Sequence, residues 1–573
     1  MKYISILFLY LLLIIKLGAQ QINTNIRVNQ IGYFTNSVKT AICVTDKPGI
    51  FHIKAKDSST ILYSGKYSDP EEWIYSKENA AVIDFSDFKS EGEFVIEIPG
   101  FGVSNPFCIG KNIFSDVFKA SLKSYYFQRM STPIEEKYAG KWHRAEGHPD
   151  TVVYVHKSAA SVKKPEGTVI SAPKGWYDAG DYNKYIVNSG ISCYTLLAAY
   201  EHYPEIFNTL EINIPESGNG IPDILNELKY NIDWMLEMQD PDDGGVYHKL
   251  TNASFDGVIM PDEAVQPRYV VQKTTAAALN FAAVAAQASR IYKKFLPSFS
   301  EKCLQAAKSA YNWAIRNPQI LYNQKRMNDL YDPDINTGGY EDENVEDEFI
   351  WAEAELYISS EDEIYLQKRN WKKIKEADTP SWNNVYFLTA YSLLKHNAQF
   401  SNPSDTEILK TALLSKADKL RNEYLNSPYK VTMGETAGDF TWGSNGVAAN
   451  QGMLLLIAYS ITKDSGYLTA AAGSLDYICG KNATGYCFIT GFGTKSPMHI
   501  HHRQSEADSI AEPLPGFLAG GPQNLIPDQT ESYVGKEPAT KYLDVFPAYS
   551  TNEIAINWNA PLVFLFAGLQ RLR

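Results

Sequence analysis

The chain has 573 residues, enough for two or three domains, and its 44% hydrophobic and 21% charged content is ordinary for a soluble globular protein. Its net charge of -13, with no basic stripe, excludes a polyanionic partner, so no nucleic-acid binding is expected. Aromatic residues reach 13%, with 37 Tyr and 10 Trp, which suits stacking on the flat faces of sugars and equally suits a large core.

The chain opens with Met1-Lys2, runs apolar from Ile4 to Ile15 and reaches small residues at Gly18-Ala19. That is the pattern of a secretory signal peptide over residues 1–19. The run is short for a membrane span and no later one is apolar enough, so the mature chain is expected to be secreted or periplasmic, without membrane insertion. Six Cys (43, 108, 193, 303, 479, 487) form no C-x-x-C pair, and most have apolar neighbours. Buried free thiols are favoured over a zinc ribbon, with a disulfide left open.

Residues 22–109 carry short alternating runs at 40–44, 51–53, 81–85 and 93–98, broken by Pro, Gly, Ser and Asp. This predicts a small antiparallel β-sandwich without catalytic residues. From residue 112 to the C-terminus the period becomes helical. Eleven amphipathic stretches are predicted at 115–129, 189–203, 221–238, 274–295, 300–316, 345–360, 382–396, 406–425, 448–462, 467–480 and 554–571. Helices alternating with long loops suggest an α/α barrel whose loops gather into a cleft on one face.

Four constellations carry chemistry. In Trp176-Tyr177-Asp178-Ala179-Gly180-Asp181, two Asp on a Gly-hinged loop could share one water. Glycosidic hydrolysis needs such carboxyls in pairs, although a bare D-x-x-D is more often an Asp-rich turn. The loop from Asp332 to Glu348 holds eight acids in seventeen residues, which reads equally as a calcium site or as a solvated loop. His499, His501 and His502 fall within four residues, beside Arg503. Sugar contact is favoured there over zinc, because no H-E-x-x-H helix or Cys pair supports a metal. Ser550 and Glu553 fit a capping box at the start of the last helix, where the helix N-terminus would depress the Glu553 pKa. Action of Glu553 as an acid then requires burial or nearby Asp charges to raise that pKa.

Together these segments resemble glycoside hydrolase family 9, the cellulase family. Ile26-Arg-Val-Asn-Gln-Ile-Gly32-Tyr33 is similar to the opening of its N-terminal domain, and Asp178-Ala-Gly-Asp181 to its catalytic-base motif. Pro497-Met-His-Ile-His501-His502-Arg503 is similar to its substrate-binding His motif, and Ser550-Thr-Asn-Glu553 to its general-acid motif. The resemblance implies a two-domain chain, with an immunoglobulin-like sandwich over 22–109 and an (α/α)6 barrel over 112–573. It implies inverting cleavage of internal β-1,4 bonds in cellulose or a related β-glucan. Asp181 would be general base, Asp178 would help hold the water, and Glu553 would be general acid. His501 and Arg503 would contact sugar, as would His248 at the end of the segment from Asp240, with Trp442 as a stacking platform. An exo-acting β-glucosidase, glucosaminidase or cellobiohydrolase of the same fold is the nearest alternative, and a non-catalytic glycan binder a further one. No cofactor is implied for the chemistry. Calcium is implied near Asp347 and Glu348, although Trp382-Asn383-Asn384 stands where the family has Trp-Asp-Asp. The Cys/His zinc site of some family members has no counterpart here.

Overall fold

In the computed structural model, which describes residues 21–366, 371–396, 403–528 and 530–572, ten strands between Ile26 and Ile109 form two sheets. The expected signal peptide at 1–19 lies outside the described residues. One sheet orders Ile26–Arg27, Thr40–Val44, Glu78–Asp84 and Glu71–Trp73. The other orders Gly32–Tyr33, Phe107–Ile109, Gly92–Ile98, Ile50–Ala55 and Ile61–Lys66, with Gly102–Val103 beside Gly92–Ile98. Alternation decides which side chains turn inward. Phe94, Ile96 and Ile98 are buried while Val95 and Glu97 are half-exposed. They join Phe51, Ile53 and Phe107 in one core, where the Tyr33 ring meets Phe85 and Phe107 edge-on.

The sandwich also buries an outer face against the second domain. Phe34, Ile42, Trp73 and Ala80 belong to the core of the helical domain, and the Trp73 ring lies 4.5 Å from that of Tyr429. Polar bonds cross the same seam: Asn29 Nδ2 donates to Asp476 Oδ1 (2.9 Å), Arg27 Nη2 to the Ala483 carbonyl (2.9 Å) and Lys481 Nζ to Thr40 Oγ1 (2.8 Å).

Eleven long helices follow among the described residues: α1 (Ser115–Phe127), α2 (Ile186–His202), α3 (Asp223–Glu237), α4 (Thr275–Tyr292), α5 (Pro297–Arg316), α6 (Glu346–Ser360), α7 (Tyr386–Lys395), α8 (Pro403–Asn426), α9 (Ser444–Thr462), α10 (Ser465–Ile478) and α11 (Ile556–Leu569). Helices α2, α4, α6, α7, α9 and α11 form the inner ring, with α11 packing on α2, α2 on α4, α4 on α6, α6 on α7, and α9 on α11. Inner helices need apolar or small residues all round. Accordingly, α4 buries every residue except Arg290, eight of the seventeen being Ala. The outer helices bury one stripe, as α5 does with Cys303, Ala306, Ala307, Ala310, Tyr311 and Ala314. The outer position between α6 and α7 is filled by 3-10 turns at Glu363–Tyr365 and Trp371–Glu376. This is an (α/α)6 barrel with one outer helix reduced to turns.

Periodicity misses one element. Strands Val153–Val155, Val169–Ile170, Lys184–Tyr185, Lys249–Asn252 and Arg268–Val270 join loops of the helical domain into a five-stranded sheet. All six cysteines are free, and every one except Cys108 is buried. No helix among the described residues is long and apolar enough to cross a membrane.

Candidate active site

The Trp176–Asp181 loop is locked from beneath. Trp176 is buried and its indole donates to Glu227 Oε1 (2.8 Å). A side chain at Gly180 would place its Cβ 2.0 Å from the His501 carbonyl oxygen, so only glycine lets these two backbones approach. Asp178 accepts from Asn188 Nδ2 (2.8 Å) and Tyr340 OH (2.5 Å). Burial, and then the charge of Asp181, push its carboxyl up to about 8. Asp181 Oδ2 accepts from Asn183 Nδ2 (2.6 Å) and Tyr185 OH (2.9 Å). The Asn183 amide cannot flip, because its oxygen already accepts from the Asn252 N–H (2.9 Å) and Arg268 Nη1 (3.2 Å). Arg268 and Lys184 are both anchored on the buried Asp150 (3.1 and 2.8 Å).

The segment around Glu553 differs from the capping-box expectation. Tyr549–Asn552 is a single helical turn, Glu553 is extended (φ -68, ψ 159), and α11 starts three residues later at Ile556. Ser550 Oγ bonds Asp528 instead of capping a helix. Glu553 is therefore not held by a helix N-terminus. Burial, and then the charge of Asp181, push it up to about 8, against the opposing pull of Arg503 and the Gly180 N–H. Main-chain bonds stitch this segment to the aspartate loop. The Ile556 N–H donates to the Asp178 carbonyl (2.9 Å), Arg503 N–H to Gly180 (3.1 Å), His501 N–H to Asn552 (2.9 Å) and Gly520 N–H to Glu553 (2.8 Å).

These groups face one cavity of about 940 Å³, lined by Asp178, Asp181, Glu553, His501 and Arg503 together with a set of aromatic rings. His501 donates Nδ1–H to the Phe546 carbonyl (2.8 Å), leaving Nε2 as an acceptor, and burial holds the ring neutral with its pKa down at about 4. Arg503 is tied to the Asp256 and Gly180 carbonyls (both 2.8 Å). Trp442 is 41% exposed on the wall, beside the ring of Tyr549 at 5.3 Å. Sequence reasoning missed Phe255, Tyr340 and Trp558, and treated Trp382 only as part of a metal segment. For Phe255, Tyr340 and Trp382 the signal is an aromatic residue in a Gly- or Asn-rich loop, as in Gly338-Gly339-Tyr340, whereas Trp558 sits in the first turn of α11. Gly443, at φ 83, admits the Trp558 indole, which a Cβ there would meet at 2.4 Å.

His248 does not reach the cavity, which corrects the expected sugar contact. It is buried and stacked on Tyr322 (4.1 Å), with Nδ1 bonded to Thr274 Oγ1 (2.9 Å) and Nε2 donating to the Gly339 carbonyl (2.8 Å). Both nitrogens are taken by protein, so the ring supports the wall from behind.

Asp347 and Glu348 lie at the start of α6 and are buried, as is Asp342. Asp347 Oδ2 accepts from the Val385 N–H (2.8 Å). Asn384 Oδ1 has no hydrogen-bond partner among the described residues, and the carboxyls of Asp342, Asp347 and Glu348 have only one another as side-chain partners. Burial raises all three carboxyls, Asp342 to about 6. No three His, Cys, Asp or Glu side chains among the described residues converge into a ready-made metal cage. The donor set, all hard oxygen and short of protons to share, nevertheless fits calcium chemistry, and Asn384 can supply an oxygen where an aspartate was expected.

Comparisons with known proteins agree with this architecture. A family model described as glycosyl hydrolase family 9 matches residues 114–566, and one described as a cellulase N-terminal ig-like domain matches residues 21–103. The chain is 44% identical over 559 residues to a xyloglucan-specific endo-beta-1,4-glucanase of Bacteroides ovatus, covering 96% of this chain and 94% of that one. It is 34% identical over 557 residues to endoglucanase D of Acetivibrio thermocellus, covering 96% and 84%. A solved Bacteroides ovatus GH9 structure superposes with a TM-score of 0.89 at 43% identity, covering 96% of this chain and 100% of that one. A metagenome-derived glycoside hydrolase family 9 endoglucanase gives 0.87 at 32%, covering 95% and 98%.

Proposed function

Because the chain belongs to glycosyl hydrolase family 9 and is an endo-β-1,4-glucanase, we propose that Asp181 and Glu553 are the base and acid of a single-displacement hydrolysis. Asp181, held by Asn183 and Tyr185, takes a proton from water as the water oxygen attacks the anomeric carbon. The glycosidic C–O bond breaks and Glu553 gives its proton to the departing oxygen. The observation that carries this assignment is Glu553 itself, facing the same cavity as the aspartates and pushed up to about 8, so that it remains protonated at neutral pH. Asp178 holds the water beside Asp181. His501 and Arg503 bind hydroxyls, and Trp442 offers a ring to a sugar face. No cofactor enters the chemistry. Calcium at Asp347, Glu348 and Asn384 would brace the base of α6, and the segment 1–19 would direct export.

The first polymer to test is xyloglucan, on the strength of the 44% identical relative. Proton NMR of early digestion should show the α-anomer from the β-linked chain, and viscosity should fall faster than reducing ends accumulate. An initial β-anomer would remove the inverting assignment, which requires acid and base carboxyls roughly 6.5–9.5 Å apart.

A further inference from the structure

Away from the cleft, the five-stranded sheet turns one face outward. Tyr154 and Tyr269 are register partners on the parallel strands Val153–Val155 and Arg268–Val270, and Val169 pairs with Tyr154 from the other side. Register partners share a face of a sheet. Their neighbours Val153, Val155 and Val270 are buried, so Val169, Tyr154 and Tyr269 form one outward row. Tyr154 is 36% and Val169 52% exposed, and the two tyrosine rings lie 6.1 Å apart. Both rings border a depression of about 370 Å³ whose rim carries Lys157, Glu166 and Asp332. None of these residues lines the catalytic cavity.

The buried valines hold this sheet to the barrel, and Tyr269 also packs on the cluster of Val271, Tyr322, Met327 and Ile335, so it is the exposure of Tyr154 and Val169 that folding does not explain. Two rings bordering a depression offer a ligand a flat apolar wall. The rim mixes both signs of charge, which disfavours a polyanion or polycation. A neutral sugar chain matches it, with apolar C–H faces for the rings and hydroxyl edges for the charged rim. We propose that this depression is an accessory glycan site that holds a stretch of the same β-1,4-glucan outside the cleft. The assignment rests on the glucanase reading above. Continuity supports it: Asp332 borders the depression, while Thr337–Tyr340 of the same loop line the cleft, so one polymer can follow one loop between the two.

The test uses the full chain carrying Tyr154→Ala and Tyr269→Ala. In a Glu553→Gln background, which leaves the polymer uncut, its retardation in native gels containing soluble xyloglucan should weaken. In the active background, KM for xyloglucan should rise roughly threefold to tenfold. Turnover, and all kinetics on a cello-oligosaccharide that fills only the cleft, should stay unchanged. Tyr154→Phe with Tyr269→Phe keeps the rings and should behave as the parent. Unchanged KM and mobility in the alanine variant overturn the site, as does an equal loss on the oligosaccharide. If the parent cuts no β-1,4-glucan yet its retardation still depends on the two tyrosines, the hydrolase reading fails while the binding site stands.

Discussion

A general acid must keep its proton at working pH, and in Glu553, the proposed acid, burial together with the charge of Asp181 does this against the pull of Arg503 and the Gly180 N–H. The alkaline limb of kcat/KM on a soluble β-glucan should therefore fall near pH 8. Asp178, raised to a similar value, shares that limb, so it belongs to the cluster and not to one residue. Glu553→Gln should cut turnover by about 10²–10⁴. The same substitution has an opposite effect on stability. The folded pKa of Glu553 lies above its ordinary value of 4.5, so the folded state binds the proton more tightly than the unfolded one. Folding is favoured by this group at low pH, and that advantage is lost as pH rises through about 8. Glutamine cannot ionise, so the variant should melt above the parent at pH 8, with the gap closing toward pH 4. Identical melting curves at pH 8 would contradict the burial assigned to Glu553. The motif residues Asp178, Asp181 and Glu553 were legible because their types and order survive in the linear chain. Their partners were not: Tyr340, which bonds Asp178, lies 162 residues away, and no local pattern connects them.

Among elements, the loop from Asp332 to Glu348 carries the most connections. Its Gly338 N–H donates to the Tyr185 hydroxyl oxygen (3.1 Å), its Gly339 carbonyl is held by His248, and its Tyr340 reaches Asp178. Its acids then run into α6, where the buried carboxyls gather. Calcium should raise the melting temperature at pH 7, by about 2.7 kcal/mol in stability at a hundredfold excess over Kd, and a chelator should reverse the gain. The increment should shrink below about pH 6, as Asp342 takes up a proton, and vanish in Asp347→Ala. Equal melting with calcium and with chelator would dismiss the metal. At this scale the sequence was a good guide to long helices, whose 3.6-residue period repeats often enough to be seen. It was a poor guide to the five-stranded sheet, whose strands of two to four residues are too short to show a period. The capping-box pattern at Ser550 misled because a helical turn and an extended residue intervene before α11.

For the molecule as a whole, the sandwich and the barrel share a seam that is apolar at Trp73 and polar at Asn29, Asp476 and Lys481. That seam should make the two domains melt as one. Trp73→Ala should lower stability by about 3–5 kcal/mol while leaving the transition single. Two separated transitions in the parent would show that the seam does not couple the domains. The two-domain plan was legible from the change of period after residue 109, but the seam was not, since Trp73 reads as any buried strand residue. The stitching of the aspartate loop to the Glu553 segment has a different consequence. It is made by carbonyls and N–H groups, and by a glycine that admits no side chain. The spacing of acid and base is thereby insulated from whatever rings and hydroxyl-binding groups decorate the walls. Exchanging Trp442, Phe255 or Trp382 should therefore alter which β-1,4-glucan the walls accept without moving the carboxyls of Asp181 and Glu553.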